Sequence, residues 1–259
     1  MMKLQLKLLN ILLLAALTLS LSAQTIVLEY MKVAPGNEND YLEVEQAWKK
    51  IHEKRIEAGV VTGWQLWRNV YAGADDPYQY ITINWYKDWA HSLAGTPEGF
   101  WEDYLAGLFS DEEANRLMEM TSTSRVLAKR QIAHQVMSAG AGSRYILVNQ
   151  MKVKPDMGGA YVDFEREFSK PLQEEAIKRG QMSHWSVWQA WPYEDVYARY
   201  TTVDGFDSIE QMTMDGENLV PVVHPGLDME ETLKKMNSLR TQARVELWEL
   251  VDSVFPESE

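Results

Sequence analysis

The segment Met31-Lys32-Val33-Ala34-Pro35 returns 120 residues later as Met151-Lys152-Val153-Lys154-Pro155. At the same offset Tyr41, Glu45 and Lys50 match Tyr161, Glu165 and Lys170, and Trp48 faces Phe168. The offset then grows by one residue, pairing Gly59 with Gly180, Trp64 with Trp185 and Trp67 with Trp188. A chain duplicated in this way must fold as two similar units. Each unit then acts as an internal control for the other.

In the first copy Thr25–Val33 is rich in β-branched and apolar residues and stops at Pro35-Gly36, the pattern of a strand. A helix follows from Asn37 or Asn39, with an asparagine as N-cap and acidic residues in its first turn. Its apolar positions Tyr41, Val44, Trp48 and Ile51 recur at three- and four-residue spacing, and Gly59 closes it. Residues 63–71 and 78–86 are aromatic-rich strands around a hairpin loop at 72–77. Residues 88–122 read as helical with a break near Gly95-Thr96-Pro97, and 125–137 as a last strand. The second copy repeats the order: strand 144–153, helix 159–178, strands 182–191 and 195–206, a helical region with a loop at 221–226, and strand 241–254. The predicted organisation is a unit over 24–137, a small-residue linker at 138–143 and a second unit over 144–259. Each unit has the β-α-β-β-α-β order of a ferredoxin-like fold, so the class is α+β.

A strand ending in a Lys-Val-x-Pro turn, then an amphipathic helix and a hairpin, resembles the dimeric α+β barrel superfamily. That group includes antibiotic-biosynthesis-type monooxygenases, haem-degrading oxygenases, and EthD-like and NIPSNAP-like proteins. The resemblance implies two ferredoxin-like units packed sheet to sheet within one chain as an intramolecular dimeric α+β barrel. A sheet with helices on one face leaves the other apolar, so two such faces cover each other and any pocket lies between them.

The first residues read as a secretory leader: Lys3 and Lys7, an apolar run from Leu8 to Leu21, and small residues at Ser22-Ala23 before Gln24. The run is short for a membrane span, which needs about 20 residues. Export to a bacterial periplasm or exterior is expected, with cleavage after residue 23. There is no cysteine, so thiol catalysis, thiolate metal sites and disulfides are excluded. The formal net charge is −13. Without the two leader lysines it becomes −15, 23 Lys and Arg against 38 Asp and Glu. Such a surface disfavours nucleic acid and anionic membranes. A small molecule is the partner the sequence favours, and pairing of whole chains into a homodimer is compatible with it.

Tyr41, Glu45, Trp48 and His52 share one face of the first helix. Glu45 and His52 are candidates for a general base or a metal-binding pair. The competing role for Glu45 and its match Glu165 is a structural hydrogen bond; Leu172 stands where His52 does, seven residues beyond the glutamate. His184, where the first unit has Gly63, is a third catalytic candidate. His91, His134 and His224 complete five histidines without metal-binding spacing, and the sequence names no metal and no cofactor.

The chain carries 10 Trp. Trp64 and Trp67, three apart on a strand, point to opposite faces, as do Trp185 and Trp188. One of each pair should pack under helices and the other line the pocket, as core filling or as the wall of a site for a flat ligand. Arg68 and Arg199 lie inside strand runs. If they point inward they need an anion or a carboxylate such as Glu29. The haem-degrading branch implies a first-strand Asn, a third-strand Trp and a helical His. Asn149, Trp85 and His91 are the nearest matches, with Glu29 and Asp204 standing where the other unit has Asn149 and Trp85. The functions left open are ligand binding in an aromatic pocket, a monooxygenase-like enzyme with or without haem, and a partner-binding module.

Overall fold

The computed structural model describes residues 24–100, 107–191 and 199–257. The expected leader and the start of the strand expected at 195 lie outside the described residues. The elements are β1 (Thr25–Val33), α1 (Glu38–Glu57), β2 (Gly63–Asn69), β3 (Tyr80–Tyr86), α2 (Trp89–Leu93), α3 (Asp111–Ser124) and β4 (Arg125–Gly140), then β5 (Tyr145–Val153), α4 (Gly158–Phe164), a π-helical turn (Glu165–Ser169), α5 (Lys170–Lys178), β6 (His184–Ala190), β7 (Tyr200–Phe206), α6 (Ile209–Thr213), α7 (Val220–Val223), α8 (Met229–Leu239) and β8 (Arg240–Val254). No helix among the described residues is long and apolar enough to cross a membrane.

The eight strands close into one barrel in the order β1-β3-β2-β8-β5-β7-β6-β4, every neighbouring pair antiparallel. The fourth strand of each unit pairs with its own first strand on one side and with the other unit's second strand on the other. β4 thus joins β1 to β6, and β8 joins β5 to β2. Serving two sheets makes these strands long, 16 and 15 residues, and each shifts register along its length. For the same reason the segment expected as a linker is partly strand. Ser138, Ala139 and Gly140 pair with Ser186, Trp185 and His184.

Antiparallel pairing around an even ring makes β1 and β5 run in the same direction. The pseudo-twofold axis relating the units therefore runs down the barrel, and the two barrel ends are chemically distinct. One end, here the upper, gathers the starts of β1, β2, β5 and β6.

Alternation along the strands divides the apolar residues between two cores. Outward residues pack under the helices: Met31, Trp64, Leu66 and Tyr80 meet Tyr41 of α1 in the first unit, and Met151, Trp185, Val187 and Tyr200 meet Tyr161 of α4 in the second. Inward residues such as Ile26, Leu28, Ile146, Val148 and Trp248 form a cluster inside the barrel.

The helices begin as their sequences dictate, with one difference. Asn37 occupies the N-cap position of α1 but makes no capping bond; its side chain donates to the Thr123 carbonyl. Ser110 and Asp228 do cap α3 and α8. The one-residue drift between the units is taken up by the π-helical turn, a form that accommodates one extra residue in a helix. Pro171, just beyond it, lacks the N–H that an α-helical bond would need. Past this turn Leu172 corresponds to Ile51, and Gln173 rather than Leu172 is the counterpart of His52.

Candidate functional site

A cavity of about 1230 Å³ occupies the barrel interior. Its walls come from the inward positions of all eight strands, with Trp67, Trp85, Trp188 and Trp248 as the largest aromatic surfaces. Trp85 meets Trp188 edge to face at 5.6 Å and Phe255 at 6.0 Å.

Near the upper end, β6 places His184, Ser186 and Trp188 on its inward face at two-residue spacing. The Trp188 indole donates to Ser186 Oγ at 2.8 Å, and the same oxygen lies 3.0 Å from His184 Nε2. His184 Nδ1 is buried without a hydrogen-bond partner. Burial lowers the His184 pKa, so the ring is neutral at pH 7. The first unit has Gly63, Gln65 and Trp67 at these positions. Gln65 accepts from the Trp85 indole at 3.0 Å, and Phe255 covers Gly63. Across the seams the sizes are exchanged: Gly63 stands opposite Phe255, while His184 stands opposite Gly140.

The lower end carries charge. Glu246 is 5 % exposed and saturated. Its Oε1 accepts from Tyr78 at 2.6 Å and from Arg244 Nε at 2.6 Å, and its Oε2 from the Trp248 indole at 2.9 Å. The neighbouring Tyr30 ring packs 4.6 Å from Tyr78, and burial pushes both phenols well above their ordinary pKa. Lys129 and Gln131 of β4 face the same space.

Of the three catalytic candidates, only His184 reaches the cavity. Glu45 and His52 lie on the buried face of α1, against the outer side of the sheet. Glu45 is 1 % exposed and paired with Arg125 at 2.5 Å, and burial lifts its pKa to about 7. His52 stacks on Trp64 at 5.0 Å and its Nδ1 accepts from Arg55 at 3.0 Å; burial drives its pKa far down. A whole sheet separates both from the cavity, so they act on packing.

The predicted ligand-binding residues divide the same way. Trp67 and Trp188 line the cavity, whereas Trp64 and Trp185 fill the outer cores. Arg68 points outward and pairs with Glu249 at 2.6 Å. Glu29 also points outward, to Arg130. Asn149, on the outer face, donates to Asp204 at 2.7 Å and accepts from Gln242 at 2.8 Å. Arg199 is outside the cavity lining and lies 5.6 Å from the Tyr200 ring centroid. The haem-degrading constellation is not assembled. Trp85 is inside the barrel, Asn149 is outside it, and His91 bonds the Gly59 carbonyl at 2.8 Å. The register also makes Gly205, not Asp204, the counterpart of Trp85. Among the described residues no group of three or more side chains is arranged to hold a metal.

Ser186, Glu246, Arg244, Lys129 and Trp248 escaped the sequence reading. The signal was two-residue spacing. Counting back by twos from Trp188 reaches Ser186 and His184, and counting back from Trp248 reaches Glu246 and Arg244.

No protein-family model matches the sequence, and no curated protein does. Solved structures share its architecture. A protein of Lactobacillus acidophilus named as a putative monooxygenase aligns at 11 % identity over 90 % of this chain and 96 % of its own, with a TM-score of 0.52. Another of that name from Fusobacterium nucleatum aligns at 6 % identity over 91 % of this chain and 95 % of its own, with a TM-score of 0.55. Both alignments span the two units together, and this chain has the fold of the dimeric α+β barrel proteins, with both halves of the barrel in one polypeptide.

Proposed function

We propose that the protein binds a small, planar, largely apolar organic molecule inside the barrel. The observation that carries this reading is the cavity of about 1230 Å³, walled by four indoles and holding a few fixed polar groups. A cavity of that size is at or above the range of about 300–1000 Å³ usual for ligand sites. Core filling alone would leave far less room, since protein interiors are packed as densely as organic crystals. The neutral probe N-phenyl-1-naphthylamine tests it. One probe should bind per chain with enhanced fluorescence, and Ala133→Trp, which copies Trp248 into the other half, should weaken binding at least about tenfold. No binding by the wild-type protein would overturn the reading.

A second reading, monooxygenase-like oxidation of an electron-rich ligand, is favoured by His184. It is a neutral imidazole facing the cavity, bonded to Ser186 on one nitrogen and unpaired on the other. Oxidation of an activated CH₂ by O₂ gives a carbonyl and water, the substrate supplying the electrons. The His184–Ser186 pair would take the first proton. Oxygen uptake with an anthrone-type substrate, abolished in His184→Ala, is the expected result; uptake unchanged in that variant would sink this reading. The leader-like first 23 residues support export, and a secreted protein whose intact mass starts at Gln24 would be the expected form.

A further inference from the structure

The duplication provides a control for the lower end of the cavity. On β8 the inward positions are Arg244, Glu246 and Trp248; the register places Lys129, Gln131 and Ala133 of β4 at the equivalent sites. The cation is kept, the carboxylate becomes an amide, and the indole becomes a methyl group. Arg244 is neutralised by Glu246 at 2.6 Å. Among the described residues no carboxylate lies within 4.0 Å of Lys129, whose ammonium instead sits 5.7 Å from the Tyr30 ring centroid. Carboxylates are abundant in the chain, with 38 acidic residues, yet among the described residues none is placed against this half-buried cation. A half-buried cation facing an apolar space without a counter-charge is unfavourable unless an anion joins it. The exchange of Trp248 for Ala133 opens space beside it, and the Gln131 side-chain NH2 is a donor there, its Oε1 accepting from the Tyr30 hydroxyl at 3.3 Å.

We propose that the cavity takes an aromatic carboxylate, its anionic group held by Lys129 where Glu246 sits in the other half, and its ring in the space that Trp248 fills there. This rests on the reading of the barrel as a small-molecule site, and it names the class of ligand.

The test is calorimetric titration of the full chain at pH 7.5 with 2-naphthoate and with its neutral methyl ester. The acid should bind at least about tenfold more tightly than the ester. Lys129→Met should bring the ratio of acid to ester affinity close to one, and Lys129→Arg should keep it. Gln131→Glu, which gives Lys129 the partner that Arg244 has, should lower the acid-to-ester affinity ratio about tenfold. Equal binding of acid and ester, or a preference that survives Lys129→Met, overturns the assignment. If N-phenyl-1-naphthylamine still binds in that case, the cavity reading stands and only the anion site falls. If none of the three compounds binds, both fall.

Discussion

Gly140 stands directly opposite His184 across the seam between β4 and β6, with a φ of +69°. A β-carbon there would overlap the Ser183 carbonyl and press on Ile177. The left-handed backbone and the close approach both require glycine. At the pseudo-symmetric position the Phe255 ring packs over Gly63, where a β-carbon would overlap it. Gly140→Ala should destabilise the protein by about 1–3 kcal/mol and displace His184. Chemical denaturation and the His184 imidazole NMR signals would check both effects; an unchanged midpoint would contradict the close approach.

Asp204 is held on the outer face by Asn149, and burial lifts its pKa to about 6 from 3.8. The unfolded chain releases this proton first, so rising pH favours unfolding. The contribution is intact below about pH 4 and is lost as pH rises through about 6. Its counterpart in the first unit is Asn84. Asp204→Asn should therefore raise stability by about 2 kcal/mol at pH 8 and change little at pH 4. Thermal midpoints of both proteins across that range measure it. A variant less stable than the wild type at pH 8 would refute the assignment.

Arg125 is the counter-charge for buried Glu45, and removing it strands a carboxylate. Arg125→Met should cost about 3 kcal/mol at pH 8, where Glu45 is ionised, and much less at pH 5, where the folded protein keeps the proton on Glu45. Adding Glu45→Gln should recover most of the loss at pH 8. A cost independent of pH would mean that Arg125 acts by packing alone.

Much of the architecture was legible in the repeated Met-Lys-Val-x-Pro turn and its flanking periodicities, because strand, helix and turn signals are local. The opposite facing of Trp64 and Trp67 was legible for the same reason. The exchange of β4 and β8 between the two sheets was not, since strand partners are set by long-range pairing. It is why residues 138–140 are strand where a linker was expected. Glu45 and His52 misled because sharing a helix face says that two residues are buried together, not on which side of the sheet. The charged group at Lys129, Arg244 and Glu246 became visible only once the direction of the pseudo-twofold axis made the two fourth strands comparable. His184 was singled out by the asymmetry with Gly63, and the same comparison between halves exposes Lys129.

The proposed ligand site is the barrel interior and no other apolar surface. The indole N–H signals of a ¹⁵N-labelled sample, recorded with and without N-phenyl-1-naphthylamine, test it directly. Trp67, Trp85, Trp188 and Trp248 line the cavity and should shift with the probe, while Trp64 and Trp185, buried beneath the helices, should stay in place. Shifts confined to Trp64, Trp185 or the exposed Trp191, or no shift at saturating probe, would rule out binding inside the barrel.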